Sequence, residues 1–224
     1  IIFDGVRIVI EDAAPSELRY VRVSGVEHID RNDRTGGGVR VTRSVALFEH
    51  SVIRDNRLDV GTESGYGGGI GIEYGSAVVM RHCTVKRNLV TGASWDSESL
   101  DSRYLGHGGG LSAYYLSSVL LLDCMVSGNT SLGENGGGIF TFMSAFSAIH
   151  SVVSENLLWN QGGRYSSHVR PYMQVEWYGG HGAAIKEVNS RVLFTNCIIV
   201  DNVVKPSGSF ISGAGRVGFQ SCII

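Results

Sequence analysis

Gly67-Gly68-Gly69-Ile70-Gly71-Ile72, then Ala77-Val78-Val79-Met80, then Cys83-Thr84-Val85-Lys86-Arg87-Asn88, is the stretch on which the reading of this chain turns. Apolar residues alternate within it over short runs: Ile70 with Ile72, Val78 with Met80, Cys83 with Val85. A period of two belongs to strands. Three such short strands, separated by Gly, Ser and Asn, bury too little to stand alone.

The stretch repeats. Gly-Gly-Gly-apolar occurs at 36–39, 67–70, 108–111 and 136–139, with a softer copy at Gly182-Ala183-Ala184-Ile185. An Asn follows the first Gly of each copy by 20 or 21 residues: Asn56, Asn88, Asn129, Asn156 and Asn202. Three residues before each Asn stands Ile53, Val85, Val126, Val153 or Ile199; five before it stands Ser51, Cys83, Cys124, Ser151 or Cys197. A weaker early copy has Leu18, Val21 and Val23, with Val26 in the Asn slot. A late copy continues as Phe210, Val217, Phe219, Cys222 and Ile224, each 25 residues after Ile185, Val192, Phe194, Cys197 and Ile199. Units that cannot fold singly fold by stacking, each strand pairing with its equivalent one copy on. The expected fold is all-β: a right-handed, single-stranded parallel β-helix of about six to seven coils, rising ~4.8 Å per coil. The Gly run answers a bend that excludes a Cβ or requires positive φ. The Asn and Cys positions read as inward ladders, the Asn bonding turn backbone and its own copies above and below.

Gly-Gly-Gly-Ile together with Ile53-Arg54-Asp55-Asn56, Val85-Lys86-Arg87-Asn88 and Val126-Ser127-Gly128-Asn129 resembles the repeat of the polymorphic outer-membrane protein family, and more widely the pectate-lyase-like superfamily of β-helices. The likeness covers roughly residues 5–224. It departs in having Ile or Val where the family repeat has Phe before x-x-Asn, and Gly-Gly-Gly where the family often has Gly-Gly-Ala. The resemblance implies a β-helix and, in its adhesin and autotransporter branches, a secreted or cell-surface location of bacterial type. Its lyase and glycoside hydrolase branches imply a carbohydrate-active enzyme instead.

The composition fits one large-cored domain. The 224 residues include 31 Gly, about twice the ordinary share of ~7%, and only 3 Pro. With 43% hydrophobic and 18% charged residues the chain is not of disordered type, and a formal charge of −2 gives no field for nucleic acid. No apolar run reaches the ~20 residues of a membrane span. The chain opens on Ile1-Ile2 and closes on Ile223-Ile224, which reads as one β-helix segment (1–224) of a longer chain, its ends capped by flanking chain or a partner.

Successive Asn residues lie 32, 41, 27 and 46 apart, so insertions leave one corner, at about 57–66, 89–107 and 157–181. All three Trp fall in the larger two. Trp95, Tyr104, Trp159, Tyr165, Trp177 and Tyr178 are therefore the candidate ligand-binding residues, with a satellite core under the loops as the competing reading. His107 and His181 flank the insertions in the slot that also holds Tyr66 and Asn135. His50, His82, Asp123, His150, Asn196 and Ser221 form a second column, read as a solvated ladder rather than a metal site. The cysteines read as small stacked hydrophobes, without disulfides. Asp96, Glu98 and Asp101 are carboxylates by composition only, and Lys86 and Lys186 look isolated. No catalytic residue, metal or cofactor is assigned. The expected function is a non-enzymatic adhesin or structural stalk binding a glycan or surface protein on the inserted loops. The alternatives are a polysaccharide lyase or glycoside hydrolase, and a β-helical segment of a larger assembly.

Overall fold

A computed structural model describes residues 1–30, 32–60, 64–91, 106–133, 135–159, 180–205, 208–213 and 216–224, with the backbone alone at 180, 181, 208–210 and 213. The described residues form strands and turns only, and every strand pairing is parallel. The chain visits four sheets in the same order in every repeat, giving a parallel, β-helix-like stack. The first sheet follows the Gly runs and has seven strands, among them Val39–Thr42, Ile70–Glu73, Leu111–Tyr114 and Ile139–Phe142. The second, also of seven, contains Val45–Glu49, Ala77–Arg81, Ser118–Leu122 and Ala145–Ile149. The third, of seven, contains Val52–Arg54, Thr84–Lys86 and Met125–Ser127; the fourth, of six, contains Arg57–Asp59, Leu89–Thr91, Thr130–Leu132 and Leu157–Trp159.

The fourth sheet revises the three-strand repeat. The first three residues of each expected insertion, directly after the Asn, are a regular strand, so the insertions begin later, after Asp59, Thr91 and Trp159. The late repeat is revised too. Val192 and Phe194 pair with Val217 and Phe219, but Ile185 pairs with Ile211 rather than Phe210, because the register shifts between His181 and Ile185.

Corners are made by left-handed residues. His50, His82, Asp123 and His150, at φ 48°, 51°, 53° and 50°, separate the second sheet from the third; Asp55, Arg87 and Gly128, at 56°, 51° and 61°, separate the third from the fourth. After each such residue an inward side chain closes the turn. The Asn ladder is continuous. Asn56, Asn88 and Asn129 donate from Nδ2 to Oδ1 of the next Asn at 3.0 Å, and Asn156 to Asn202 at 2.9 Å. The second amide hydrogen of each goes to a carbonyl, that of Asn88 to Ile53 and that of Asn129 to Val85. The glycines are the other half of this device. A Cβ on Gly69 would stand 2.7 Å from Asn88 Nδ2, and one on Gly67, at φ +75°, would stand 2.2 Å from the Ile70 carbonyl oxygen. The two sequence signatures are thus one joint.

The interior is filled by one column per inward position. Along the second sheet, Phe48, Met80, Leu121, Ala148 and Phe194 stack beside Ala46, Val78, Val119, Phe146 and Val192. The Ala46–Phe48 pair and the reversed Phe146–Ala148 pair keep the volume of a layer level, as a close-packed core requires.

Candidate functional site

The corner between the fourth and first sheets carries the insertions, and the residues entering the first sheet there form their own column. Thr35, Tyr66, His107 and Asn135, each directly before a Gly run, pair as successive parallel bridges. The His107 ring stacks on Tyr66 at 5.0 Å and on Phe140 at 4.7 Å; Tyr66 lies 4.6 Å from Tyr114, which stacks on Phe142 at 5.0 Å. Tyr74 and Tyr115 stack at 5.6 Å on the next corner. The rungs set this spacing, so the stacked pairs turn their faces to one another along the stack. His107 is buried, and burial drives its imidazole down to about 3. Its Nδ1 accepts from Asn135 Nδ2 at 3.1 Å, which puts the proton of the neutral ring on Nε2. Burial, then hydrogen bonding with Tyr115 and Tyr66, raises the Tyr114 phenol.

Towards the N-terminal end the same face is ionic. Glu73, 5% exposed, accepts from Thr35 Oγ1 at 3.0 Å and from Arg40 Nε and Thr42 Oγ1 at 2.9 Å. Asp33 takes a two-pronged contact from Arg7, at 2.5 and 3.1 Å, and Arg7 also holds the carbonyls of Gly36 and Thr35. Burial pushes the Asp33 carboxyl up, but Arg7 outweighs it and holds the group below its usual range. Burial and Arg7 lower His28. These carboxylates are engaged by arginines and hydroxyls, an arrangement suited to holding Asp33 and Thr35 in place rather than to exchanging protons.

Of the six candidate ligand-binding aromatics, Trp159 is described: it ends a strand of the fourth sheet, level with Lys205, and is 47% exposed. Trp95, Tyr104, Tyr165, Trp177 and Tyr178 lie outside the described residues, as do Asp96, Glu98, Asp101 and the His181 side chain. The His column stands outside the core. His50 stacks on Tyr20 at 5.0 Å and on His82 at 4.8 Å, while Asp123 sits 4.0 Å from His82 Nδ1 and 3.8 Å from His150 Nδ1. Asp, Asn and His tolerate left-handed backbone better than other side chains, which accounts for the composition of this column. Among the described residues no three metal-ligating groups converge.

The cysteines do more than fill space. Ser51, Cys83, Cys124, Ser151 and Cys197 share one ladder, and sulfur replaces oxygen in the same bonds. Cys83 N–H donates to Cys124 Sγ at 3.4 Å, and Cys124 N–H to Ser151 Oγ at 3.1 Å. Each Sγ reaches back to a carbonyl two residues earlier, at 3.2 Å for Cys83 and Cys124. All four thiols are free. A serine ladder that sequence reading missed runs along the corner between the first and second sheets: Ser44 N–H donates to Ser76 Oγ, Ser117 to Ser144, and Ser144 to Ser190. Ser190 N–H is taken by Oε1 of Glu187, a fully buried carboxylate.

No protein-family model, curated protein sequence or solved structure matches this chain. No helix among the described residues is long and apolar enough to cross a membrane.

Proposed function

We propose that the chain is a right-handed parallel β-helix of six to seven coils, a non-enzymatic segment of a secreted or cell-surface protein. It acts as an adhesin or stalk that holds out the inserted corner for a glycan or surface protein. The observation that carries this reading is the joint between Gly run and Asn ladder, repeated without interruption beneath the corner from which every insertion leaves. A rigid stack with variable loops on one edge is the usual seat of recognition. The engagement of Glu73 and Asp33 by hydroxyls and arginines supports holding over turnover. Tyr66, Tyr114 and Phe142 are engaged in ring contacts with one another, and this reading assigns sugar stacking to the candidate aromatics at the inserted corner.

Trp95→Ala and Trp177→Ala test the reading against a glycan array and whole cells. Loss of binding with the melting temperature unchanged supports a binding edge. A fall equivalent to about 2 kcal/mol or more, as for a buried aromatic, assigns these residues to a satellite core. Polysaccharide turnover abolished by changing Asp96, Glu98 or Asp101 would replace the reading with an enzymatic one.

A further inference from the structure

The outer face of the third sheet lies away from the inserted corner and carries a chemistry of its own. One row of this face runs Asp4, Ser24, Arg54, Lys86, Ser127 and Ser154 on consecutive repeats, Ser24 being buried with its hydroxyl donated to Asp4 at 2.8 Å. Arg22 stands in the neighbouring row, one strand from Arg54 and diagonal to it. Lys86 is therefore not isolated. It lies directly opposite Arg54, and like charges at paired positions of adjacent strands repel. The Nε atoms of Arg22 and Arg54 are buried and have no hydrogen-bond partner. Asp55, the near carboxylate, is 3.5 Å from Arg54 Nε but is bound by Arg87 through both oxygens, at 2.7 and 2.9 Å. Neither the Arg22 guanidinium nor the Lys86 ammonium has a carboxylate within 4 Å among the described residues, although Lys86, after Arg87 and Arg54, helps hold the Asp55 carboxyl below its usual range. This basic face sits on a chain of formal charge −2.

We propose that it is a binding track for a linear acidic polysaccharide, one bearing carboxylates or sulfates. One oxyanion would bridge Arg54 and Lys86, relieving their repulsion, and a second would reach Arg22. The Ser127 and Ser154 hydroxyls continue the row, at the ~4.8 Å rise of the strands, as partners for sugar hydroxyls. Nucleic acid fits less well: the basic face is short and the whole chain carries a formal charge of −2. The proposal is independent of the loop-corner reading, because it uses a different face and different residues.

The test is titration of the intact chain with heparin, hyaluronate, inorganic sulfate and duplex DNA, at about 50 mM and about 200 mM NaCl. Heparin is expected to bind, more weakly at the higher salt, and at least about tenfold more tightly than sulfate. The Arg54→Ala/Lys86→Ala variant should lose about tenfold or more in affinity. Its melting temperature should equal or exceed that of the parent, since a like-charge pair has gone. The Arg54→Lys/Lys86→Arg exchange should stay within about threefold of the parent, because it keeps both charges. Heparin binding that is absent at low salt, untouched in the alanine variant, matched by sulfate or equalled by DNA would overturn the proposal.

Discussion

Asn129 has no hydrogen-bonding capacity to spare. Its Nδ2 serves the Val85 carbonyl and Asn156 Oδ1, and its Oδ1 takes the N–H and Nδ2 of Asn88, all at 3.0 Å. Asn129→Leu leaves donors and acceptors unpaired on both neighbouring repeats, and a loss of about 1–3 kcal/mol is expected in denaturant melts. His107 makes the second argument at this scale. Its folded value of about 3 lies below the ordinary histidine value of 6.5. As pH falls below 6.5 the unfolded chain takes up a proton that the folded chain refuses. The contribution of His107 is therefore whole above 6.5 and drains away towards 3, with a slope of up to ~1.4 kcal/mol per pH unit. His107→Phe keeps a ring in the stack and removes the titration, so melting temperature should depend less steeply on pH between about 6.5 and about 4. An unchanged slope would assign the acid sensitivity elsewhere.

At the scale of elements, the ladders treat Ser and Cys as equivalents. Cys83→Ser and Cys124→Ser should each change stability by less than about 1.5 kcal/mol, because the hydroxyl keeps both bonds; Cys→Ala should cost more, leaving an N–H unpaired. In the native chain a thiol reagent should react first at half-buried Cys222, and at Cys83, Cys124 and Cys197 only on unfolding. The side-chain hydrogen bond with Cys83, then burial, raise Cys124 and slow it further. The sequence made some of these elements plain and hid others, for physical reasons. The Asn ladder was legible because its distance from the Gly run is nearly constant. The serine ladder was not, because its corner varies in length: Ser44 follows Thr42 by two residues, whereas Ser117 follows Tyr114 by three, with both Tyr115 and Leu116 left-handed. The fourth sheet stayed hidden because each strand points one residue inward, such as Leu58 or Val90, and one residue makes no period. In Thr130–Leu132 even that residue is polar: Ser131 donates to the Gly106 carbonyl.

At the scale of the whole molecule, the stack separates three surfaces by chemistry: the loop-bearing corner, the ring-stacked first sheet and the basic third sheet. The corner was legible from the uneven Asn spacing. The basic face was not, because Arg22, Arg54 and Lys86 are distant in sequence and meet only through register. One further consequence follows from the polar ladder inside the stack. Asn129-Thr130-Ser131 is an acceptor triplet for N-linked glycan. The Asn129 amide that would carry the sugar is wholly enclosed and bonded to its neighbours. Glycosylation during translocation would reach it before the repeats close, and a chain so marked could not complete its ladder. In a eukaryotic secretory pathway, modification and folding of this chain are therefore competing fates of the same side chain, whereas a host without that transferase leaves only folding.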